Sequence, residues 1–416
     1  MIQNTDELRK SLFSLTNKGI KYDLERIRHA AEETRNLDCR FASVHVAGTN
    51  GKGSTCAYIE SVLRCAGYKT GLFTSPHLIR FEERFRINCK EIEEAMWVGA
   101  YERLMPVIEK NQLTFFEVTM LLALELFKEE DVEWAIFETG MGGRLDATNI
   151  IRPEVTVITS IAMDHREYLG ETIEKVATEK LGIVKKGIPL VAVEPEKCTV
   201  RDLIISASGE RDAPLTFLSR KCAEILSETA IETVFRYRDN TYTIGMKGSF
   251  QVLNALLAIE SIRKLGISIP DENVAQGLKI MRLEGRFERK TVGRKEVVID
   301  VAHNPDAINE LCCTLRNTFL TQPIVIVAGI MADKDYCEML QILNAVASHI
   351  ILTCPAIARA ARTEQLSACL TDRFTVTKSV ESAVIHAFSR EEPVLCITGS
   401  FYTAGEAIAA LGGLWS

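Results

Sequence analysis

Residues 44–55, VHVAGTNGKGST, set three glycines (Gly48, Gly51, Gly53), one lysine (Lys52) and the pair Ser54-Thr55 between two apolar segments. Glycine-rich backbone ahead of a helix leaves N–H groups free to face an anion, and the positive end of the helix favours negative charge there. Lys52 adds a cation that can reach terminal phosphates, and Ser54 or Thr55 can contact phosphate or a metal-bound water. The spacing departs from the common phosphate loop G-x-x-x-x-G-K-[ST]. Only Thr49 and Asn50 separate Gly48 from Gly51-Lys52, and Gly53 intervenes before Ser54. The competing reading is a tight turn with a solvated lysine. Three glycines in that span cost backbone entropy that a plain connection would avoid, so phosphate binding is the better reading.

Three further segments end in polar groups. TGLFTSPH (70–77) closes on Ser75-Pro76-His77, WAIFETGMGGRLDATN (134–149) carries Glu138 ahead of three glycines, and VTVITSIAMDH (155–165) closes on Asp164-His165. A hydroxyl, a carboxylate and an imidazole beside nucleotide phosphates suit Mg²⁺, which keeps waters and takes few protein ligands. Singly, Ser75 reads as a turn residue, Glu138 as a solvated strand end and His165 as a packed loop histidine. Their common position at strand ends favours a site. In ETIEKVATEKLGIVKKG (171–187), Lys180 shares the apolar face of Ile173, Val176, Ala177, Leu181 and Val184. Such a lysine must be paired, snorkel outward, or lose its charge.

The elements that would position these groups alternate strand-like and helix-like, the mark of an α/β sheet. FASVHVA (41–47), WAIFETG (134–140), VTVITSIA (155–162) and IPLVAV (188–193) read as strands. TCAYIESVLRCAG (55–67) and QVLNALLAIESIRKLG (251–266) read as helices, and TAIETVFRYRDNTYTIGM (229–246) as a hairpin breaking at Asp239-Asn240. Around RLEGRFERKTVGRKE (282–296) the apolar pattern lapses, and a second α/β series follows: VVIDVA, PIVIVAGI, HIILTCP, FTVTK and VLCITGS. The chain is too long for one ordinary core at 416 residues. The expected division is 1–283, a linker at 284–294, and 295–416.

A net charge of −7 argues against a nucleic-acid backbone as partner, while leaving room for a local basic pocket. The 12 cysteines include no CxxC pair, which suits reduced thiols in a cytoplasmic protein. The polar N-terminus, MIQNTDELRK, lacks a secretory pattern, and no apolar run reaches membrane-spanning length. Neither a membrane nor a nucleic-acid partner is expected, and a monomer is the expected state.

Together the segments HVAGTNGKGST, GLFTSPHLIRFEERFRIN, TFFEVT, ETGMGGRLDATNI, ITSIAMDH, EKLGIVK, EGRFE, DVAHNPDA, GIMADKD and ITGSFYTAGE resemble the Mur ligase superfamily. The resemblance is specifically to its folylpolyglutamate synthase and dihydrofolate synthase branch, and runs through most of the chain. It implies an N-terminal, mostly parallel P-loop sheet domain that binds ATP and pterin, and a smaller Rossmann-like glutamate ligase domain. It implies that Gly48, Thr49, Asn50, Gly51, Lys52, Gly53, Ser54 and Thr55 hold ATP phosphates, with Asn254, Arg286 and Asp300 also contacting ATP. Ser75, Glu138 and His165 would bind Mg²⁺, with room for a second divalent or a monovalent cation. Lys180 would be carbamylated by CO₂, and Lys52, Lys180, His165 and Glu138 would form the catalytic set. Thr114, Phe116, Asp146 and Ala147 would line the pterin pocket, an aromatic face with a carboxylate for the pterin's donor edge. His303 and Ser400 would position glutamate or nucleotide. Three positions depart from the family pattern: Asp23 and Cys89 replace glycines, and Phe250 replaces a frequent histidine.

The activity so implied is ATP-dependent ligation of L-glutamate to dihydropteroate or to folate-glutamates through an acyl phosphate. The rivals are one of the two folate activities alone, a P-loop kinase or NTPase, and a non-catalytic nucleotide-binding protein.

Overall fold

A computed structural model describes residues 5–19, 23–36, 41–229 and 231–414. Its largest sheet has eight strands, β1 (Ala42–Ala47), β2 (Thr70–Phe73), β3 (Phe85–Ile87), β4 (Lys90–Glu91), β5 (Trp134–Glu138), β6 (Val155–Ile158), β7 (Leu190–Val193) and β8 (Leu215–Leu218). They lie in the order β4-β3-β2-β5-β1-β6-β7-β8. β2, β5, β1, β6, β7 and β8 run parallel, and β3 and β4 turn back antiparallel at one edge. Runs such as VHVA and AIFE are buried on both faces, which is why they read as continuous apolar segments rather than alternating ones.

Helices Lys52–Cys65 and Ser249–Arg263 cover one face. Helices Glu94–Lys110 and Phe115–Glu129 cover the other, around Trp97, Phe127 and Phe137. The expected hairpin is present as β10 (Thr233–Tyr237) and β11 (Asn240–Ile244), turning at Arg238-Asp239. A third strand, β9 (Ala223–Glu228), completes that small sheet; its residues are mostly exposed and carry no apolar alternation to reveal it.

The second large sheet is β12 (Glu288–Val292), β13 (Lys295–Ile299), β14 (Ile324–Ala328), β15 (His349–Leu352), β16 (Phe374–Val376) and β17 (Val394–Thr398). Its order is β12-β13-β17-β14-β15-β16, parallel except for β12. One expectation is corrected here. Cys337 and Cys369 form a disulfide with Cα atoms 5.1 Å apart, a pair 32 residues apart in the chain that helix packing brings together. The other nine described cysteines are free. No helix among the described residues is long and apolar enough to cross a membrane.

Helix Asp271–Ile280 packs backbone-to-backbone on helix Lys52–Cys65. A Cβ on Gly277 would lie 2.6 Å from Val62 Cα, and Gly277 O accepts the Ser61 hydroxyl at 2.9 Å. Backbone cannot yield as a flexible side chain can, so Gly277→Ala should destabilise the protein by about 1–3 kcal/mol. Urea unfolding would measure this, and an unchanged midpoint would refute the packing described.

Candidate active site

The glycine loop leaves β1 at Ala47 and enters helix Lys52–Cys65. At Gly48 (φ +147°) a Cβ would meet Thr159 Oγ1 at 1.8 Å, and at Gly51 (φ +90°) it would meet Asn254 Oδ1 at 2.4 Å. Close approach therefore demands both glycines. Thr49 N–H donates to Ser160 O (2.6 Å), the Thr49 hydroxyl to Ala162 O (3.0 Å), and Ser160 Oγ to Asn50 O (3.2 Å). These bonds tie the loop to the segment after β6. Lys52 Nζ donates to Thr49 O at 3.1 Å, which folds the cation back over the loop. The first-turn N–H groups of Lys52, Gly53 and Ser54 have no acceptor within the helix and suit an anion.

Glu138 ends β5, the strand between β1 and β2. Its Oε2 accepts the Ser75 N–H at 3.1 Å, and no protein donor among the described residues reaches its other oxygen. Burial raises the Glu138 pKa against the opposing pull of Lys52, the Ser75 amide, Arg286 and Arg84. His165 follows β6, and burial lowers its pKa to about 4, so the imidazole is neutral and able to ligate. Ser75, Glu138 and His165 all line one cleft. An uncompensated acidic oxygen, a hydroxyl and a neutral imidazole fit a Mg²⁺ that keeps part of its water shell.

Lys180 does not snorkel. It is 3% exposed, and its Nζ donates to Gly48 O at 2.7 Å, directly beneath the loop. Burial first, then the charge of Lys52, lowers its pKa to about 7.

In the loop after β5, Asp146 caps the short turn Ala147–Ile150. Its Oδ1 accepts the Thr148 N–H at 3.0 Å and its Oδ2 the Met141 N–H at 2.9 Å. Thr114 caps helix Phe115–Glu129, and Glu117 Oε2 accepts both its N–H (2.8 Å) and its hydroxyl (2.7 Å). Phe116 packs on Phe73 and lies over Gly140, where a Cβ would meet it at 2.5 Å; Phe115 packs on Phe13 and Phe81. Asp23 also lines the cleft. It pairs with Arg26 at 2.6 Å, and Arg26 reaches Glu117 at 3.1 Å, so this departure is tied to the residue that anchors Thr114.

The second sheet supplies the facing wall. Asp300 and His303 follow β13, Ser400 follows β17 and Lys334 follows β14, three adjacent strands. Asp300 accepts the Phe287 and Ala302 N–H groups, each at 2.8 Å, and burial raises its pKa despite the nearby Arg286. His303 Nδ1 lies 2.9 Å from Val301 O; a carbonyl only accepts, so the proton is on Nδ1. Ser400 caps helix Phe401–Leu411 by accepting the Thr403 N–H at 3.0 Å. The two walls touch. Asn50 and Asn304 exchange amide hydrogen bonds at 3.1 and 2.9 Å, and Lys334 Nζ bonds to Asp164. Burial would raise the Asp164 pKa, but His303, His165 and Lys334 together hold it far below the usual carboxylate range.

Every expected site residue lines this one cleft except Thr55, which is fully buried and whose hydroxyl has no partner among the described residues. Three cleft residues, Arg84, Asp164 and Lys334, carry no role in the sequence reading, and neither does Asn304, whose amide lies 3.5 Å from Asp164. Each sits inside a motif of the resemblance, but only the facing sheets reveal what it meets. Lys180 yields a stability test. The fold releases its proton at about 7, whereas an unperturbed lysine holds it to 10.5. Between those values the unfolded state binds more protons, so stability rises with pH. Wild type should therefore gain stability from pH 7 to 10 relative to Lys180→Met, measured by denaturant unfolding at each pH.

Family models match both parts of the chain: the Mur ligase middle domain over residues 46–262, and the Mur ligase glutamate ligase domain over residues 285–401. The dihydrofolate synthase/folylpolyglutamate synthase of Bacillus subtilis is 36% identical over 353 residues, covering 80% of this chain and 81% of that protein. Escherichia coli FolC, solved in complex with DHPP and ADP, superposes with a TM-score of 0.88 at 32% identity, covering 97% of each chain. The bifunctional enzyme of Yersinia pestis, solved with AMPPNP and Mn ion, gives 0.87 at 30% identity, covering 99% of this chain and 98% of that one. The chain belongs to the Mur ligase family, in the branch of dihydrofolate and folylpolyglutamate synthases.

Proposed function

We propose that this protein uses ATP to ligate L-glutamate to the carboxylate of dihydropteroate and of tetrahydrofolate-glutamates, giving dihydrofolate and folylpolyglutamates. The observation that carries the reading is the cleft itself. At about 1370 Å³ it exceeds the space one small ligand needs. The phosphate loop, Phe116 and Asp146 from the first sheet's part of the chain, and His303 and Ser400 from the second's, all line it. Three substrates can meet there. The relatives solved with DHPP and ADP, or with AMPPNP and Mn ion, support the same substrate classes.

In the reaction a carboxylate oxygen attacks the γ-phosphorus, the bond to the ADP oxygen breaks, and an acyl phosphate forms. The glutamate amine then attacks the acyl carbon and phosphate leaves. Lys52 and the first-turn N–H groups hold the phosphates, joined by Asn254, Arg286 and Asp300. Ser75, Glu138 and His165 would hold the divalent ion, which when bound neutralises charge on the transferring group. Thr114, Phe116, Asp146 and Ala147 orient the pterin, and His303 and Ser400 position glutamate. Lys180 is the carbamate site: its neutral amine adds CO₂ and releases a proton. The anion so formed lies near Lys52 and Lys334, whose charges oppose a protonated Lys180. The working division remains 1–283 and 295–416 about a linker at 284–294, with β12 already bonded to the C-terminal sheet. We take the enzyme to act as a cytoplasmic monomer.

Dihydropteroate and tetrahydrofolate, each with ATP and labelled glutamate, should both yield labelled product. Product from one alone would narrow the reading to a single activity. ATP turnover independent of glutamate, with product from neither, would overturn it in favour of a kinase or NTPase. Lys52→Ala should lower kcat by about 10²–10³-fold. Intact mass measured in bicarbonate buffer should show one added CO₂ in wild type and none in Lys180→Met.

A further inference from the structure

Arg84 ends the short turn Phe81–Arg84 and leads into β3. It is 6% exposed and lines the cleft. A guanidinium so buried ordinarily holds a carboxylate, yet among the described residues no acidic oxygen lies within ion-pair distance of it. Its acidic neighbours are already engaged. Glu83 accepts the N–H groups of Leu78, Ile79 and Arg80 at 2.6 to 2.8 Å, and Glu138 Oε2 accepts that of Ser75.

Among the described residues the one acceptor of Arg84 is His77 Nδ1, which takes its Nε–H at 2.8 Å. An arginine Nε–H only donates, so His77 Nδ1 is the unprotonated, accepting nitrogen of the ring. The guanidinium carbon lies over the Phe115 ring, 5.4 Å from its centre. Nε is therefore committed and the plane is set, while the two Nη groups have no acceptor among the described residues. Arg84 also stands where the substrates meet. Phe115 adjoins the pterin wall, Glu138 marks the phosphate end, and Tyr402 comes from the helix that follows β17; the last two act on its charge. Although burial lowers its pKa to about 10, the group is charged at neutral pH.

We propose that Arg84 is the acceptor-carboxylate subsite, its Nη pair holding the carboxylate to be activated through the oxygen that does not attack phosphorus. This rests on the ligase reading above. As the attacking oxygen bonds to phosphorus and ADP departs, the held oxygen becomes the carbonyl oxygen of the acyl phosphate. When the amine attacks, the carbonyl electron pair moves onto that same oxygen, and it returns as phosphate leaves and the amine proton passes to solvent. One fork can stay on one oxygen through both steps, strengthening as negative charge develops there. His77 is then a positioning residue, since it fixes the plane of the fork.

The test is fluorescence titration of dihydropteroate and of its carboxamide, with wild type, Arg84→Gln and Arg84→Lys. Wild type should prefer the carboxylate by about 10- to 100-fold. Arg84→Gln should lose most of that preference while binding the carboxamide unchanged, and Arg84→Lys should keep only part of it, because a point charge lacks the fork. An undiminished preference in Arg84→Gln overturns the proposal. So does a rise in glutamate KM with that preference intact, which would assign the fork to the incoming amino acid. A wild type that binds neither pterin refutes the folate reading, and p-aminobenzoate against p-aminobenzamide on the same proteins then decides Arg84 separately. Thermal melts and ATP binding check folding; if Arg84→Gln unfolds, Arg84→Lys carries the comparison.

Discussion

Parallel pairing of β1 with β5 and β6 brings the carboxyl ends of those strands to one edge, because strands that share a direction finish together. The registers Val46 with Glu138 and Ala47 with Ile158 make this concrete. The glycine loop begins at Gly48, the residue after β1, and from the other strands of the sheet come Glu138, Ser75 and His165. The second sheet repeats the device, with His303, Ser400 and Lys334 in the segments that follow β13, β17 and β14. A cleft between two such edges collects polar groups at the ends of strands rather than in their middles.

The cleft's charge balance is unlike that of the whole chain. An acidic protein concentrates Lys52, Lys180, Lys334, Arg84 and Arg286 around a few carboxylates. Each carboxylate has a distinct environment. Glu138 and Asp300 are pulled up by burial, whereas Asp164 is held down by three basic neighbours. Anionic substrates would complete this balance, and repulsion among the lysines is relieved at Lys180 by loss of its proton. The Asn50–Asn304 exchange and the Asp164–Lys334 pair hold the two walls together at the loop itself, so wall contact and phosphate binding share residues.

Much of this was legible in the chain. Apolar runs announced β1, β5, β6 and β7, and the lapse near residue 284 announced the change of sheet. β9 was not legible because its residues are exposed on both faces, and the Cys337–Cys369 pair was not because its members are far apart in sequence. Helix periodicity put Lys180 on a buried face, but the expected ways out were pairing, snorkelling or neutrality. The acceptor it actually meets, Gly48 O, lies 132 residues away. Thr55 shows the opposite case: its neighbour Ser54 lines the cleft while Thr55 turns into the core, since successive residues on a helix point about a quarter-turn apart.

By itself the sequence determined the local chemistry: a glycine loop before a helix, polar residues after apolar strands, and an apolar face interrupted by one lysine. Those are short-range properties, set by backbone freedom and hydrophobic period. Only the tertiary structure decided which groups meet. It set Asp164 against Lys334 and Asn50 against Asn304, and it left the Arg84 fork without a partner among the described residues. Such contacts depend on how two sheets face each other across the cleft, and no local pattern encodes that distance.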